Sequence, residues 1–198
     1  MLENKILILE DDPQLGKDLQ ELLNQAGYLT ILTDSYALAI EKLTQFKPVL
    51  AICDIHLGQG NNGIDFVKNA LPLLPQLEII YVSASSNHLV IENAYSTKPL
   101  NYIHKPWGKD QIIVAVKMAF DQIEKKYTKN EFIQKLSSTE SKIINLIAKQ
   151  KKSKEIADLL FVSEKTVRNH RYNIIKKLKL PNENNSLLKW ALTNLSLD

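Results

Sequence analysis

Five short apolar runs alternate with segments of helical spacing over the first two thirds of the chain, and this alternation restricts the fold more than any other feature. KILIL (5–9), YLTIL (28–32), VLAIC (49–53), EIIYV (78–82) and NYIH (101–104) have strand length and composition. Between the first two, Leu15, Leu19, Leu22, Leu23 and Ala26 mark one helical face, with Gly27 where a helix stop belongs. Leu38, Leu43 and Phe46 follow Asp34-Ser35, a natural N-cap, and Lys47-Pro48 closes that segment. Ile64 to Leu74, Leu89 to Tyr95 and Gln111 to Ile123 complete the series. Parallel strands joined by helices need right-handed crossovers, so the prediction is an α/β fold, a doubly wound (βα)5 parallel sheet covered on both faces.

In such sheets functional groups collect beyond the C-terminal ends of the strands. Four of the runs end on polar groups: Glu10, Asp11 and Asp12 after KILIL, Asp54 after VLAIC, Ser83 after EIIYV and Lys105 after NYIH. Two carboxylates within about 4 Å repel by roughly 4 kcal/mol at an effective dielectric near 20, so Glu10, Asp11 and Asp54 together need cations. Lys105 supplies one charge, and a hard divalent ion such as Mg²⁺ closes the balance. A metal beside a carboxylate, with an ammonium and a hydroxyl nearby, is what a transferring phosphoryl group requires. The expectation is a Mg²⁺-dependent phosphoryl site with a carboxylate nucleophile. Pro13 suits the first helical position, which makes Asp12 the helix cap and leaves Glu10 and Asp11 for the metal.

The remaining third of the chain reads differently. Residues 117–135 turn highly charged, the end of a long helix running into a linker at 127–136, and from 137 the pattern is all helical. Residues 1–126 carry a net charge of −4 and residues 127–198 a net of +7, so the second part suits a polyanion. Ser137 with Glu140 fits a capping box. Within SKEIADLLFVSEKTVRNHRYNIIKKL, a helix with Ile156, Leu159 and Leu160 inward, a tight turn at FVS and a helix capped by Ser163 make a helix-turn-helix. Val167, Ile174 and Leu178 form the buried stripe of the second helix. Lys165, Arg168, Asn169, Arg171, Tyr172 and Lys176 are left largely outward. Arg168 and Arg171 are the two arginines of the whole chain, a choice that favours planar contacts to guanine or phosphate.

These motifs carry two resemblances. ILILEDDP, AICDIHLG, YVSAS and YIHKP, in this order and spacing, resemble the receiver domain of two-component response regulators over residues 1–126, a flavodoxin-like fold. The resemblance implies that Asp54 accepts a phosphoryl group from a histidine kinase. Glu10, Asp11 and Asp54, with the backbone carbonyl of His56, would hold Mg²⁺. Ser83 would bond a phosphoryl oxygen, Lys105 would pair with the phosphate, and Tyr102 would be the aromatic switch that follows Ser83. Lys105-Pro106 matches a motif whose peptide bond is cis in the family. GQGNNG stands where the family often has a Met-Pro loop start, so a more mobile loop is expected there, and STKPLNY lacks the Gly-Ala that often precedes the last strand.

Residues 137–198 resemble the LuxR-type helix-turn-helix domain of the NarL/FixJ class, four helices in a small all-α unit, most specifically over SKEIADLLFVSEKTVRNH. By family position Lys165, Arg168, Asn169 and Tyr172 would reach the groove, Thr166 and Lys176 the DNA backbone, and Lys151-Lys152 would add phosphate contacts. Leu187, Leu188, Ala191 and Leu195 of the last helix are expected mainly in the core. The combined expectation is a DNA-binding response regulator, not an enzyme in its own right, that forms a homodimer when phosphorylated and then binds promoter DNA. Cys53 alone excludes an internal disulfide and a clustered-cysteine zinc site. No apolar run approaches a membrane span, so a cytoplasmic protein is expected. A phosphotransfer relay that no longer reads DNA, a free-standing phosphohydrolase and a phosphorylation-independent regulator are the rival readings.

Overall fold

Strand β1 (Lys5–Leu9) lies near the middle of a sheet completed by β2 (Leu29–Thr33), β3 (Leu50–Asp54), β4 (Glu78–Ser83) and β5 (Asn101–His104), all parallel, in the order β2-β1-β3-β4-β5. The computed structural model describes residues 3–58, 62–181, 183 and 185–195, without the side chains of 129, 130 and 132. Gln59, Gly60 and Asn61 of the GQGNNG loop lie outside the described residues. The chain divides into two compact units, Met1–Glu124 and Lys125–Asp198.

Four crossover helices join the strands, α1 (Pro13–Gln25), α2 (Tyr36–Phe46), α3 (Gly63–Leu73) and α4 (His88–Ser96), and α5 (Lys109–Gln134) follows β5 and continues past Glu124. Strand alternation sorts the core into two layers. Leu7, Leu9, Ala51, Cys53, Ile79 and Tyr81 pack against α2, α3 and α4 through Ala39, Leu43, Phe66, Val67, Ala70 and Ala94. Ile6, Ile8, Leu50, Ile52, Ile80 and Val82 pack against α1 and α5 through Leu19, Leu23, Ile112, Val116 and Ala119. Because both faces of β1 and β3 are covered, these strands are apolar without interruption, and their C-terminal ends are the places left for polar groups. Residues 127–134, read from the sequence as linker, are the last turns of α5.

Asp12 caps α1, its Oδ1 accepting from the amides of Gln14 at 2.8 Å and Leu15 at 3.0 Å, with Pro13 in the first turn. Asn62 and Asp65 form a capping box on α3 that the sequence reading did not include.

The second unit packs α6 (Ser138–Ala148), α7 (Ser153–Leu160), α8 (Glu164–Lys177) and α9 (Ser186–Asn194) around Ile143, Ile147, Ile156, Val167, Ile174, Leu178, Leu187 and Ala191. The Ser137–Glu140 capping box opens α6. Buried Glu140 also accepts from Lys177 Nζ at 2.6 Å, which ties α6 to the end of α8. Leu159, expected inward, is 54% exposed. Ile156 and Ala157 are buried and Leu160 is half-buried. That inward arc is centred more than 100° around the helix from Leu159. Leu188 and Leu195 pack against the same core, as the sequence placed them.

Candidate functional site

The candidate site is assembled at the C-terminal edge of the sheet by three central strands and β5. Glu10 follows β1, its amide donating to the Thr33 carbonyl at 3.0 Å, while the Thr33 hydroxyl donates to the Ile8 carbonyl at 2.8 Å. Asp54 ends β3, Ser83 ends β4, and the Lys105 amide donates to the Ser83 carbonyl at 2.9 Å beyond β5. The parallel register thus brings residues up to 95 positions apart in the chain into contact.

Lys105 lies between two buried carboxylates, its Nζ donating to Glu10 at 2.7 and 2.8 Å and to Asp54 Oδ2 at 2.6 Å. The other oxygen of Asp54, Oδ1, accepts from the His56 amide at 3.0 Å. Asp11 Oδ2 accepts from the Gly58 amide at 2.8 Å. Glu10 is 4% and Asp54 7% exposed, so both carboxylates have given up most of their hydration. Burial pushes the Glu10 carboxyl above its ordinary value, against the opposing pull of Lys105. For Lys105 burial acts downward, but its bonds to Asp54 and Glu10 outweigh it and hold the ammonium above its ordinary value.

Carboxylate oxygens of Glu10, Asp11 and Asp54 all lie within 4.8 Å of one another. The donor set is hard oxygen, and one ammonium does not neutralise three carboxylates, so these residues fit a divalent cation. Two neighbours make the site reachable. Ala84 is exposed and carries no bulk, and an open groove of about 610 Å³ runs from Ala84 and Lys105 past Trp107 along Leu15, Asp18 and Leu22 of α1.

Ser83 is fully buried, and its hydroxyl accepts from the Ser85 amide at 3.2 Å. Tyr102 is half-buried, with its phenol donating to the Ser85 carbonyl at 3.1 Å. The Lys105-Pro106 peptide is cis. Sequence reasoning missed two residues. Ser85 joins Ser83 to Tyr102 and looks like any loop serine. At Gly63 an added Cβ would fall 1.9 Å from the Asp54 carbonyl oxygen, so α3 approaches the Asp54 backbone as closely as only glycine allows. A glycine opening a helix nine residues after the strand-end aspartate was the available signal.

In the second unit α8 is capped by Ser163, whose hydroxyl accepts from the Thr166 amide at 3.1 Å and lies 2.9 Å from the Thr166 hydroxyl. Lys165, Arg168, Asn169, Tyr172 and Lys176 are exposed on the helix, and Thr166 is partly covered. Arg168 pairs with Glu164 one turn earlier at 2.8 Å, and the Lys176 ammonium lies 4.8 Å from the centre of the Tyr172 ring. Arg171 departs from the expected outward set. It lies four residues after Val167 and three before Ile174, on the buried stripe itself, and is half-buried; desolvation lowers its pKa. The turn ahead of α8 places Phe161 in the left-handed region at φ 54° and 96% exposed.

Comparison with known proteins follows the same division. Residues 6–117 match the family described as response regulator receiver domain, and residues 134–188 match bacterial regulatory proteins of the luxR family. The chain is similar to the oxygen regulatory protein NreC of Staphylococcus carnosus (strain TM300), 28% identical, over 98% of this chain and 99% of that protein. A CheY-like receiver domain protein from Methanospirillum hungatei JF-1 superposes with a TM-score of 0.60 at 23% identity, covering 64% of this chain and 99% of its own. Full-length FixJ from B. japonicum gives a TM-score of 0.59 at 19% identity, covering all of both chains. These structural likenesses concern the fold.

Proposed function

The chain belongs to the response regulator receiver family, with a LuxR-type DNA-binding domain after the receiver, and on that premise we propose that it is switched at Asp54. It is a DNA-binding two-component response regulator rather than an enzyme. A carboxylate oxygen of Asp54 attacks the phosphorus of a phosphohistidine on a sensor histidine kinase. The P–N bond breaks, the imidazole leaves with its electron pair, and an aspartyl phosphate remains. The observation that carries this reading is the convergence of Glu10, Asp11 and Asp54 on one sheet edge with Lys105 bonded between two of them.

Glu10, Asp11, Asp54 and the His56 carbonyl are the residues that would hold Mg²⁺, which when bound supplies positive charge to the phosphoryl oxygens. Lys105 then neutralises phosphoryl charge from the side of β5. Ser83 turns its hydroxyl from Ser85 to a phosphoryl oxygen, which relieves the hold of Ser85 on Tyr102. The added charge thus biases a packing equilibrium on the β4–β5 side of the receiver. A dimer of the phosphorylated form brings two helix-turn-helix units to half-sites about one helical turn apart.

For the DNA-binding unit, with the domain division at 126 and 137, Lys165, Arg168, Asn169 and Tyr172 face the groove. Thr166 and Lys176 meet the backbone. Arg171 contributes from the margin of the core, as a phosphate contact more than a base contact. No helix among the described residues is long and apolar enough to cross a membrane, and we place the protein in the cytoplasm.

The test compares dimerisation and promoter binding with and without a small phosphodonor and Mg²⁺, for wild type and Asp54→Asn. Wild type should respond and Asp54→Asn should not. Equal behaviour of the two overturns the switch, and the absence of sequence-selective binding at low salt overturns the DNA-reading role.

A further inference from the structure

α4 is the most weakly embedded helix of the first unit. Of its residues only Ala94 is fully buried, while Leu89, Ile91 and Tyr95 are 69%, 37% and 79% exposed. A short helix with so little apolar burial takes its position from what holds its ends. Both ends are held by phenols of one cross-strand pair, Tyr81 of β4 and Tyr102 of β5, which are adjacent in register with ring centres 6.5 Å apart.

At the N-terminal end, Tyr102 donates to the Ser85 carbonyl at 3.1 Å, and the Ser85 hydroxyl accepts from the Asn87 amide at 3.3 Å. Asn87 in turn caps the helix by accepting from the Leu89 amide at 3.0 Å. Since the Ser85 amide rests on Ser83, this end of α4 is connected to the phosphoryl site by a short chain of hydrogen bonds. At the C-terminal end the Tyr81 hydroxyl lies 3.1 Å from Thr97 Oγ1. The Thr97 proton is directed to the Ala94 carbonyl at 2.7 Å, so Tyr81 donates and Thr97 accepts. Tyr81 is fully buried, and burial raises its pKa, which keeps the phenol a donor at physiological pH.

The two ends therefore differ in kind. One leads to Ser83, the other is fastened to a fully buried ring. We propose that Tyr81 is a positioning residue of the switch: by holding Thr97 it makes the C-terminal end of α4 a pivot about which the N-terminal end swings. This rests on the reading that Ser83 moves toward a phosphoryl group on Asp54. A displacement at Ser83, passed through Ser85, then re-aims Leu89 and Ile91, which lie toward the swinging end, instead of shifting the helix as a whole.

The experiment uses the full chain and measures hydrogen exchange over residues 85–98 with and without beryllium fluoride and Mg²⁺, beside urea unfolding. Tyr81→Phe keeps the ring and deletes the donor, Thr97→Val deletes the acceptor, and Thr97→Ser retains it. In wild type the ligand should change exchange at Ser85 to Val90 and leave Ala94 to Lys98 protected. In Tyr81→Phe, exchange at Ala94 to Lys98 should quicken about fivefold, the weight of one buried hydrogen bond, and in Thr97→Val, which also loses the bond to the Ala94 carbonyl, by at least as much. The ligand response should then spread through Ser96. The double variant should be no worse than Thr97→Val alone, and Thr97→Ser should behave as wild type. A wild-type pattern in Tyr81→Phe overturns the pivot while the Asp54 reading stands, and so does a uniform loss of protection across the first unit. A wild type that does not respond to the ligand overturns the Asp54 reading and the pivot with it.

Discussion

Replacing Gly63 by alanine tests how closely Asp54, the proposed phosphoacceptor, depends on the helix that follows it. The new Cβ would stand 1.9 Å from the Asp54 carbonyl oxygen, 2.9 Å from its carbonyl carbon and 3.2 Å from Ile55 Cα, where ordinary contact begins near 3.4 Å. All three neighbours are backbone, so no side chain can turn away. Either α3 retreats, breaking the 3.0 Å bond from the Gly63 amide to the Ile55 carbonyl, or the end of β3 shifts by roughly 1.5 Å, the gap between 1.9 and 3.4 Å. Overpacking of this kind costs about 3 kcal/mol, a factor of roughly 150 in the folding equilibrium. Because Asp54 itself is displaced, phosphorylation by a small acyl phosphate should slow by about tenfold or more. Unfolding in urea, followed by Trp107 in a Trp190→Phe background, reads the first unit alone. Gly108→Ser, where an added Cβ meets nothing within 4 Å, is the control and should stay within about 0.5 kcal/mol. If Gly63→Ala unfolds with the stability of that control, the close approach of α3 to Asp54 is not what fixes the site.

Three further outcomes follow from the geometry. Lys105→Met leaves the buried carboxylates without their ammonium, so the first unit should lose about 3 kcal/mol in metal-free buffer and recover much of it in Mg²⁺; urea unfolding that is indifferent to Mg²⁺ would refute the metal assignment. Glu140 is buried, which raises its pKa, but Lys177 and the Ser137 amide and hydroxyl outweigh burial and hold the carboxyl below its ordinary 4.5. Its stabilisation is therefore complete above about pH 4.5 and lost as pH falls through the lower folded value; Trp190-monitored melting should show this, and Glu140→Gln should be flat across that window and about 1–2 kcal/mol less stable at pH 7. In fluorescence anisotropy at fixed salt, Arg168→Ala should weaken specific promoter binding about tenfold or more, and Arg171→Ala about threefold or less; the reverse order would show that Arg171 leaves the core margin on DNA.

Local pattern was enough to read the receiver's elements and the sheet edge where the candidate residues gather. Strand composition, helical spacing and the Asp12-Pro13 cap depend on neighbours a few residues away, and the polar strand ends followed from apolar strands covered on both faces. The same reasoning failed where one helix face borders another. Leu159 reads as core by composition but lies outside the arc set by Ile156, Ala157 and Leu160. Arg171 reads as surface by charge but lies between Val167 and Ile174 on the packed stripe, where periodicity should have outweighed charge.

Other features had no local signature. That Lys105 bonds Glu10 and Asp54 across separations of 95 and 51 residues, while Asp11 turns to the Gly58 amide, depends on strand order and register. The roles of Ser85, Tyr81 and Thr97 arise because β4 and β5 align two tyrosines beneath the two ends of α4. Periodicity records which side of an element faces the core, since that choice is repeated at every turn or every second residue. The pairing of two polar side chains is made once, between elements distant in the chain, and only the packed sheet brings them within hydrogen-bond distance.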